Sequence, residues 1–134
     1  MLPDDIKPAM QGVYPSFVYT CALDGEPNMT VISQVYYVDE DHVALSRQFF
    51  NKTYRNVREN PQVSVRIVCP VTVRSWRLDL EFDHDETEGP VFDEMDMQIE
   101  AIASMTGMSG IFKLHSAEIY KVKAITELAV LSGV

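Results

Sequence analysis

Long apolar runs are missing from this 134-residue chain. None approaches the roughly 18 to 20 consecutive apolar residues that a membrane-crossing helix needs, so no spanning helix is expected. The opening MLPDDIKPAM carries acids where a secretory leader carries bases, and no apolar stretch follows; a cytoplasmic location is expected. Cysteine is scarce as well. Cys21 and Cys69 each sit inside an apolar run, too few for a disulfide framework, and read as buried reduced thiols. Among the 6 glycines there is no G-x-S-x-G, no G-x-G-x-x-G after a strand and no P-loop. Gly107 and Gly110 follow a helical stretch and read as its exit turn. The 3 histidines, His42, His84 and His115, are scattered, and none has ligand spacing on a helix, so no metal site is expected. His84, inside Asp83–Glu86, reads as part of a solvated acidic turn. No residue stands out as a nucleophile or a general acid or base.

Positive charge is the most telling shortage. The 11 Lys and Arg are outnumbered by 20 Asp and Glu, giving a net charge of −9. A nucleic-acid binder needs excess positive charge to displace counterions, so no nucleic-acid partner is expected. The bases that exist are concentrated: Arg47, Lys52, Arg55, Arg58, Arg66, Arg74 and Arg77 lie in the middle, and Leu78 to Phe112 contains none. An acidic chain with one basic segment suits a small anionic ligand better than a polyanion, although chance segregation on a solvated face gives the same pattern.

What the chain does contain is β pattern. Tyr14 to Leu23 and Asn28 to Val38 are rich in β-branched and aromatic residues and flank Asp24-Gly25, a strong hairpin signal. His42 to Ser46 makes a short third strand. Asn51 to Asn60 changes period and stops at Pro61, which predicts a short helix with Asn51 or Thr53 as N-cap. Gln62 to Cys69 and Ser75 to Phe82 alternate as strands. Pro90 to Thr106 predicts a longer helix, with Pro90 in its first turn and Phe92, Met95, Ile99, Ile102 and Met105 as an apolar stripe. Ile111 to Ala124 predicts one or two closing strands, and Pro3 to Gln11 a short helical or irregular lead-in. Strands joined by short turns exclude a doubly wound parallel sheet and predict one mainly β domain over residues 1–134. Its natural form is an antiparallel barrel with helices filling the gaps.

The sharpest chemical signal is Leu45 to Thr53. A strand end delivers a hydroxyl (Ser46) and a guanidinium (Arg47), and a helix then begins at Asn51-Lys52-Thr53. Free amides at a helix N-terminus beside Arg and Lys make an anion site suited to a phosphate monoester. Ordinary capping with surface cations accounts for the same spacing.

These residues carry a resemblance. Phe17-Val18-Tyr19-Thr20-Cys21 followed by Asp24-Gly25-Glu26-Pro27-Asn28, then Asp39-Glu40-Asp41 through Ser46, then Lys52-Thr53-Tyr54-Arg55-Asn56-Val57 and Asn60-Pro61-Gln62-Val63 resemble the pyridoxamine 5′-phosphate oxidase-like FMN-binding superfamily. The likeness is best over residues 12 to 69. It implies a six-stranded antiparallel split barrel, paired as a homodimer with FMN at the interface. It implies that Met29, Thr30, Val31, Ile32 and Ser33 run past the flavin ring, and that Ser46, Arg47, Gln48, Asn51, Lys52 and Thr53 hold the phosphate end. Trp76 and Arg77 would approach the partner's cofactor.

The resemblance stops short of the classical oxidase. That enzyme carries an Arg and a His in its C-terminal segment for the substrate, whereas this chain has neither after His115, and Phe49-Phe50 replaces a more polar loop. The activity implied is therefore a flavin-dependent oxidoreductase of unknown substrate rather than oxidation of pyridoxamine phosphate. Related barrels also serve as non-catalytic sensory or accessory domains, which is the alternative. Catalytic residues are not identifiable.

Overall fold

Antiparallel pairing of consecutive strands dominates the computed structural model of the chain, which describes residues 2–10, 16–32, 35–47, 51–105, 107 and 114–128. A 3₁₀ lead-in (Asp4–Met10) precedes β1 (Ser16–Cys21), β2 (Pro27–Ile32), β3 (Tyr36–Asp39) and β4 (His42–Arg47). Helix α1 (Asn51–Glu59), β5 (Gln62–Val68), β6 (Ser75–Glu86), α2 (Pro90–Met105) and β7 (Ser116–Leu128) follow. The strands form one 7-stranded sheet in the order β2-β1-β5-β6-β7-β4-β3.

This is one strand more than expected. The run from Asn28 to Val38 is divided into β2 and β3, which lie at opposite edges of the sheet. Only residues 33–35 separate Ile32 from Tyr36, a reach of at most about 14 Å. A sheet whose two edges are tied by so short a link must curl until those edges approach, so the split between β2 and β3 is the seam of a barrel. The closing segment is a single long strand, β7, with residues 111–113 outside the described residues. β6 runs on to Glu86, past the expected end at Phe82.

Local chemistry explains the turns. Gly25 takes φ 89 at the β1–β2 hairpin, where Asp24 Oδ1 accepts from the Glu26 N–H at 3.0 Å. Gly107 takes φ 73 after α2, the left-handed position of a helix exit.

The barrel interior is filled by matched rows. Val63, Val65 and Ile67 on β5 face Leu80, Leu78 and Trp76 on β6, and Val65 also faces Val18 on β1. All of these belong to one buried cluster. A second cluster, of Tyr36, Ala44, Met95, Ile99, Leu114, Ala117 and Ile119, packs α2 on the outside of β3, β4 and β7. β7 is thus buried on both faces from Ser116 to Tyr120. Of the α2 stripe, Met95 and Ile99 are buried and Phe92 is half-buried, while the Ile102 side chain lies outside the described residues. Met105 is 87% exposed, so the helix runs beyond the surface that the sheet offers it.

Candidate cofactor site

Strand β4 and helix α1 meet where the anion site is expected. β4 ends at Arg47, α1 begins at Asn51, and residues 48–50 bridge them, so the two ends lie within about 14 Å. Ser46 is buried at the strand end, and Ser46 and Arg47 stand opposite Ala117 and Ser116 on β7. The first turn of α1 holds no acidic residue, whereas the lead-in has Asp4 and Asp5 and α2 has Asp93. The positive end of α1 is therefore not offset by its own side chains, and its donor set suits an anion. The side chains of Arg47, Asn51, Lys52 and Thr53, and all of Ser33 and Gln48, lie outside the described residues.

Two sets of polar contacts fix α1. On one side Asn56, buried, donates Nδ2 to Thr20 Oγ1 at 3.1 Å, and Asn60 donates Nδ2 to the Cys21 carbonyl at 3.2 Å. These bonds tie the helix to the β1–β2 hairpin. On the other side Arg58 donates Nη1 to Glu118 Oε2 at 2.8 Å and Nη2 to Asp85 Oδ2, with its guanidinium 4.7 Å from the centre of the Phe82 ring. Tyr120 donates its hydroxyl to Glu118 Oε1 at 3.2 Å. The Glu118 side chain is fully buried. Burial pushes its carboxyl above the usual carboxylate range, and the Arg58 partner opposes that push without cancelling it. Burial and the neighbouring Glu118 likewise push the Tyr120 phenol up.

The hairpin carries the residues expected along the flavin ring. Residues opposite one another in an antiparallel pair share a face. Val31, Phe17, Arg66 and Arg77 therefore form one row across β2, β1, β5 and β6, and Met29, Tyr19, Ser64 and Asp79 form the next. Met29, Val31 and Tyr19 are 55%, 52% and 40% exposed. The result is an apolar patch with Arg66 and Arg77 at one end, and Arg77 Nε lies 3.2 Å from Asp79 Oδ1.

The structure brings Met29, Val31 and Arg77 onto this outer face, and sets Thr30 and Ile32 on the opposite side of β2, where Ile32 is buried in the core. Trp76 belongs to the barrel core, with the Arg74 guanidinium 4.9 Å over its ring. It therefore faces away from its neighbour Arg77. Sequence reasoning missed Arg58, Asp85, Glu118 and Tyr120 as a unit. The available signal was Glu118 itself, an acid between Ala117 and Ile119 in an apolar strand.

Elsewhere, a cavity of about 370 Å³ lies between the lead-in, β3 and α2, lined by Lys7, Tyr36, Tyr37, Glu94, Met95 and Gln98 among others. None of the expected cofactor residues lines it. Among the described residues, no cluster of three or more His, Cys, Asp or Glu is placed to hold a metal ion, and no helix is long and apolar enough to cross a membrane. Cys21 and Cys69 are both free.

Comparison with known proteins places this architecture. An FMN-binding protein from Syntrophomonas wolfei has the same fold, with a TM-score of 0.75, 20% identity, and coverage of 94% of this chain and 82% of that one. HupZ from Group A Streptococcus gives a TM-score of 0.71 at 18% identity, covering 96% of this chain and 94% of that one. HutZ, described as the heme storage protein of Vibrio cholerae, gives 0.59 at 18% identity and 94% coverage of each chain. No curated protein sequence matches the chain significantly. Residues 2–123 match the family described as pyridoxamine 5′-phosphate oxidase, a span that includes the hairpin, β4, α1 and the whole Arg58 cluster. Barrel, hairpin face and strand-to-helix junction thus lie within one continuous family match, and the chain belongs to the pyridoxamine 5′-phosphate oxidase family.

Proposed function

We propose that this chain is a cytoplasmic FMN-binding protein that acts as a homodimer and serves as a flavin-dependent oxidoreductase. The observation that carries the reading is the junction of β4 and α1, where a strand end meets a helix start with no acid in its first turn, in a barrel whose β1–β2 hairpin also carries an exposed apolar face. A flavin mononucleotide needs both features, an anion grip for its phosphate and an apolar strand for its ring. Ser46, Arg47, Gln48, Asn51, Lys52 and Thr53 hold the phosphate end. Met29 to Ser33 lie along the ring, and Arg77 reaches it from the second copy. Trp76 supports the Arg77 strand from within the core. When bound, FMN supplies the hydride and electron chemistry, and the protein supplies orientation and charge.

The exposed row of Val31, Phe17, Arg66 and Arg77 is the surface we assign to the second copy. Its apolar half and its basic end suit a dimer seam that also carries an anionic cofactor.

The test is direct. Protein purified and then denatured by heat releases a flavin identified as FMN, and the folded protein shows flavin absorbance. Colourless protein that does not take up added FMN overturns the reading. A second reading, binding without catalysis, is supported by a structural neighbour described as a storage protein. Bound FMN that NADH and NADPH both fail to reduce favours it over the oxidoreductase.

A further inference from the structure

The Arg58 cluster stands at the far end of α1 from the junction, and strand β7 links the two. Residues Ser116 and Ala117 pair with Arg47 and Ser46, the strand half of the junction. The next residue, Glu118, takes Arg58 and so holds the helix half. One three-residue stretch of β7 therefore fixes both halves. Ser116 Oγ also lies 3.5 Å from Asp85 Oδ1, the other carboxylate that receives Arg58.

Helix α1 has 9 residues, too few to hold a direction without tertiary contacts. Val57 anchors it by apolar burial, which permits sliding and tilt, and the Asn56 and Asn60 bonds tie one side of it to the β1–β2 hairpin, leaving the side toward β6 and β7 to Arg58. Arg58 does not permit them. Its planar fork meets Glu118 and Asp85 through different nitrogens while its face lies on Phe82, so the direction of the helix end is set. From Arg58 to Asn51 the axis runs about 10 Å, so a tilt of roughly 10° moves the N-terminal amides by nearly 2 Å. A fully buried carboxylate is also a costly way to fill space, since a well-packed apolar residue serves stability as well or better. Stability alone therefore does not account for it.

We propose that Arg58, held by Glu118 and Asp85, is the positioning residue that aims the start of α1 at the phosphate of the cofactor. This inference rests on the reading of the β4–α1 junction as the phosphate site.

Flavin fluorescence titrations with FMN and with riboflavin, which lacks the phosphate, test it. Wild type binds FMN at least about 100-fold more tightly than riboflavin. Arg58→Met alone leaves the buried Glu118 carboxyl without its guanidinium partner and will unfold a fraction of the protein, so the informative variant is Arg58→Met/Glu118→Leu, which buries no lone charge. In that variant the FMN-to-riboflavin ratio falls at least tenfold, while riboflavin affinity changes less than about twofold. Arg58→Lys keeps the charge without the fork and gives an intermediate ratio. An unchanged ratio in the folded double variant, with wild type still favouring FMN, overturns the positioning role alone. A wild-type ratio near one overturns the phosphate reading and the positioning role together.

Discussion

Asn56 on α1 donates to Thr20 on β1 at 3.1 Å across 36 residues of sequence, and both side chains are buried. The Asn28 amide lies 3.5 Å from the same hydroxyl oxygen, so one threonine joins the helix to both strands of the hairpin. Thr20→Val keeps the shape and removes the acceptor, leaving a buried amide without this partner. Urea unfolding is expected to show a loss of about 1 to 3 kcal/mol. Thr20→Val/Asn56→Leu, which removes both partners, is expected to lose less than the sum of the two single changes.

Val73, at the tip of the β5–β6 hairpin, takes φ 60, a left-handed conformation that a β-branched residue strongly disfavours. The turn is held by the Val73 N–H bonded to the Cys69 carbonyl at 2.9 Å and the Cys69 N–H bonded to the Arg74 carbonyl at 2.8 Å. The 58% exposure of Val73 means that little packing is lost on its removal. Val73→Gly relieves the strain at some entropic cost and is expected to stabilise the protein by about 1 kcal/mol. A lower urea midpoint for the glycine variant contradicts this.

His84 lies between Glu86 Oε2 and Asp83 Oδ2, each 2.9 Å from a ring nitrogen. Bonding to Glu86 and then to Asp83 favours the protonated ring and raises its pKa above the ordinary histidine value. The folded state thus holds this proton more tightly than the unfolded chain. The stability it contributes is complete below about pH 6.5 and is lost as pH rises through the folded pKa. An NMR titration is expected to give a His84 midpoint above about 6.5. His84→Gln is expected to remove this part of the decline in stability on the alkaline side.

Val31 is 52% exposed in the row that we assign to the second copy. Val31→Glu places a carboxylate there, and burying it unpaired on association costs several kcal/mol. Light scattering after size exclusion is expected to give a dimer mass for wild type and a monomer mass for the variant, with unchanged circular dichroism. A wild-type monomer, or a variant that stays dimeric, removes this face as the seam.

Local signals made most elements legible before the structure. The Asp24-Gly25 hairpin, the Pro61 stop after α1 and the alternation of β5 and β6 each depend on residues a few positions apart. What was not legible depends on distant pairing. Nothing near Ile32 or Tyr36 says that these residues belong to opposite edges of one sheet; that follows from β1 pairing with β5 and from β4 pairing with β7. The burial of Glu118 is likewise decided by Arg58, 60 residues away. Trp76 and Arg77 show a limit of another kind. Strand period places adjacent side chains on opposite faces, so a single strand could not bring both to one ligand, and the alternation alone did not say which face was the core.

The most direct test of the central claim is a titration of FMN into flavin-free protein, followed by flavin fluorescence, for wild type, Lys52→Ala and Arg47→Ala. Each charge-assisted contact to the phosphate is worth roughly 1.5 to 3 kcal/mol. The expected result is saturable quenching by wild type and an affinity at least about tenfold weaker in each variant. Saturable binding that both variants retain at full strength places the phosphate elsewhere, and FMN fluorescence that wild type leaves unchanged contradicts the account.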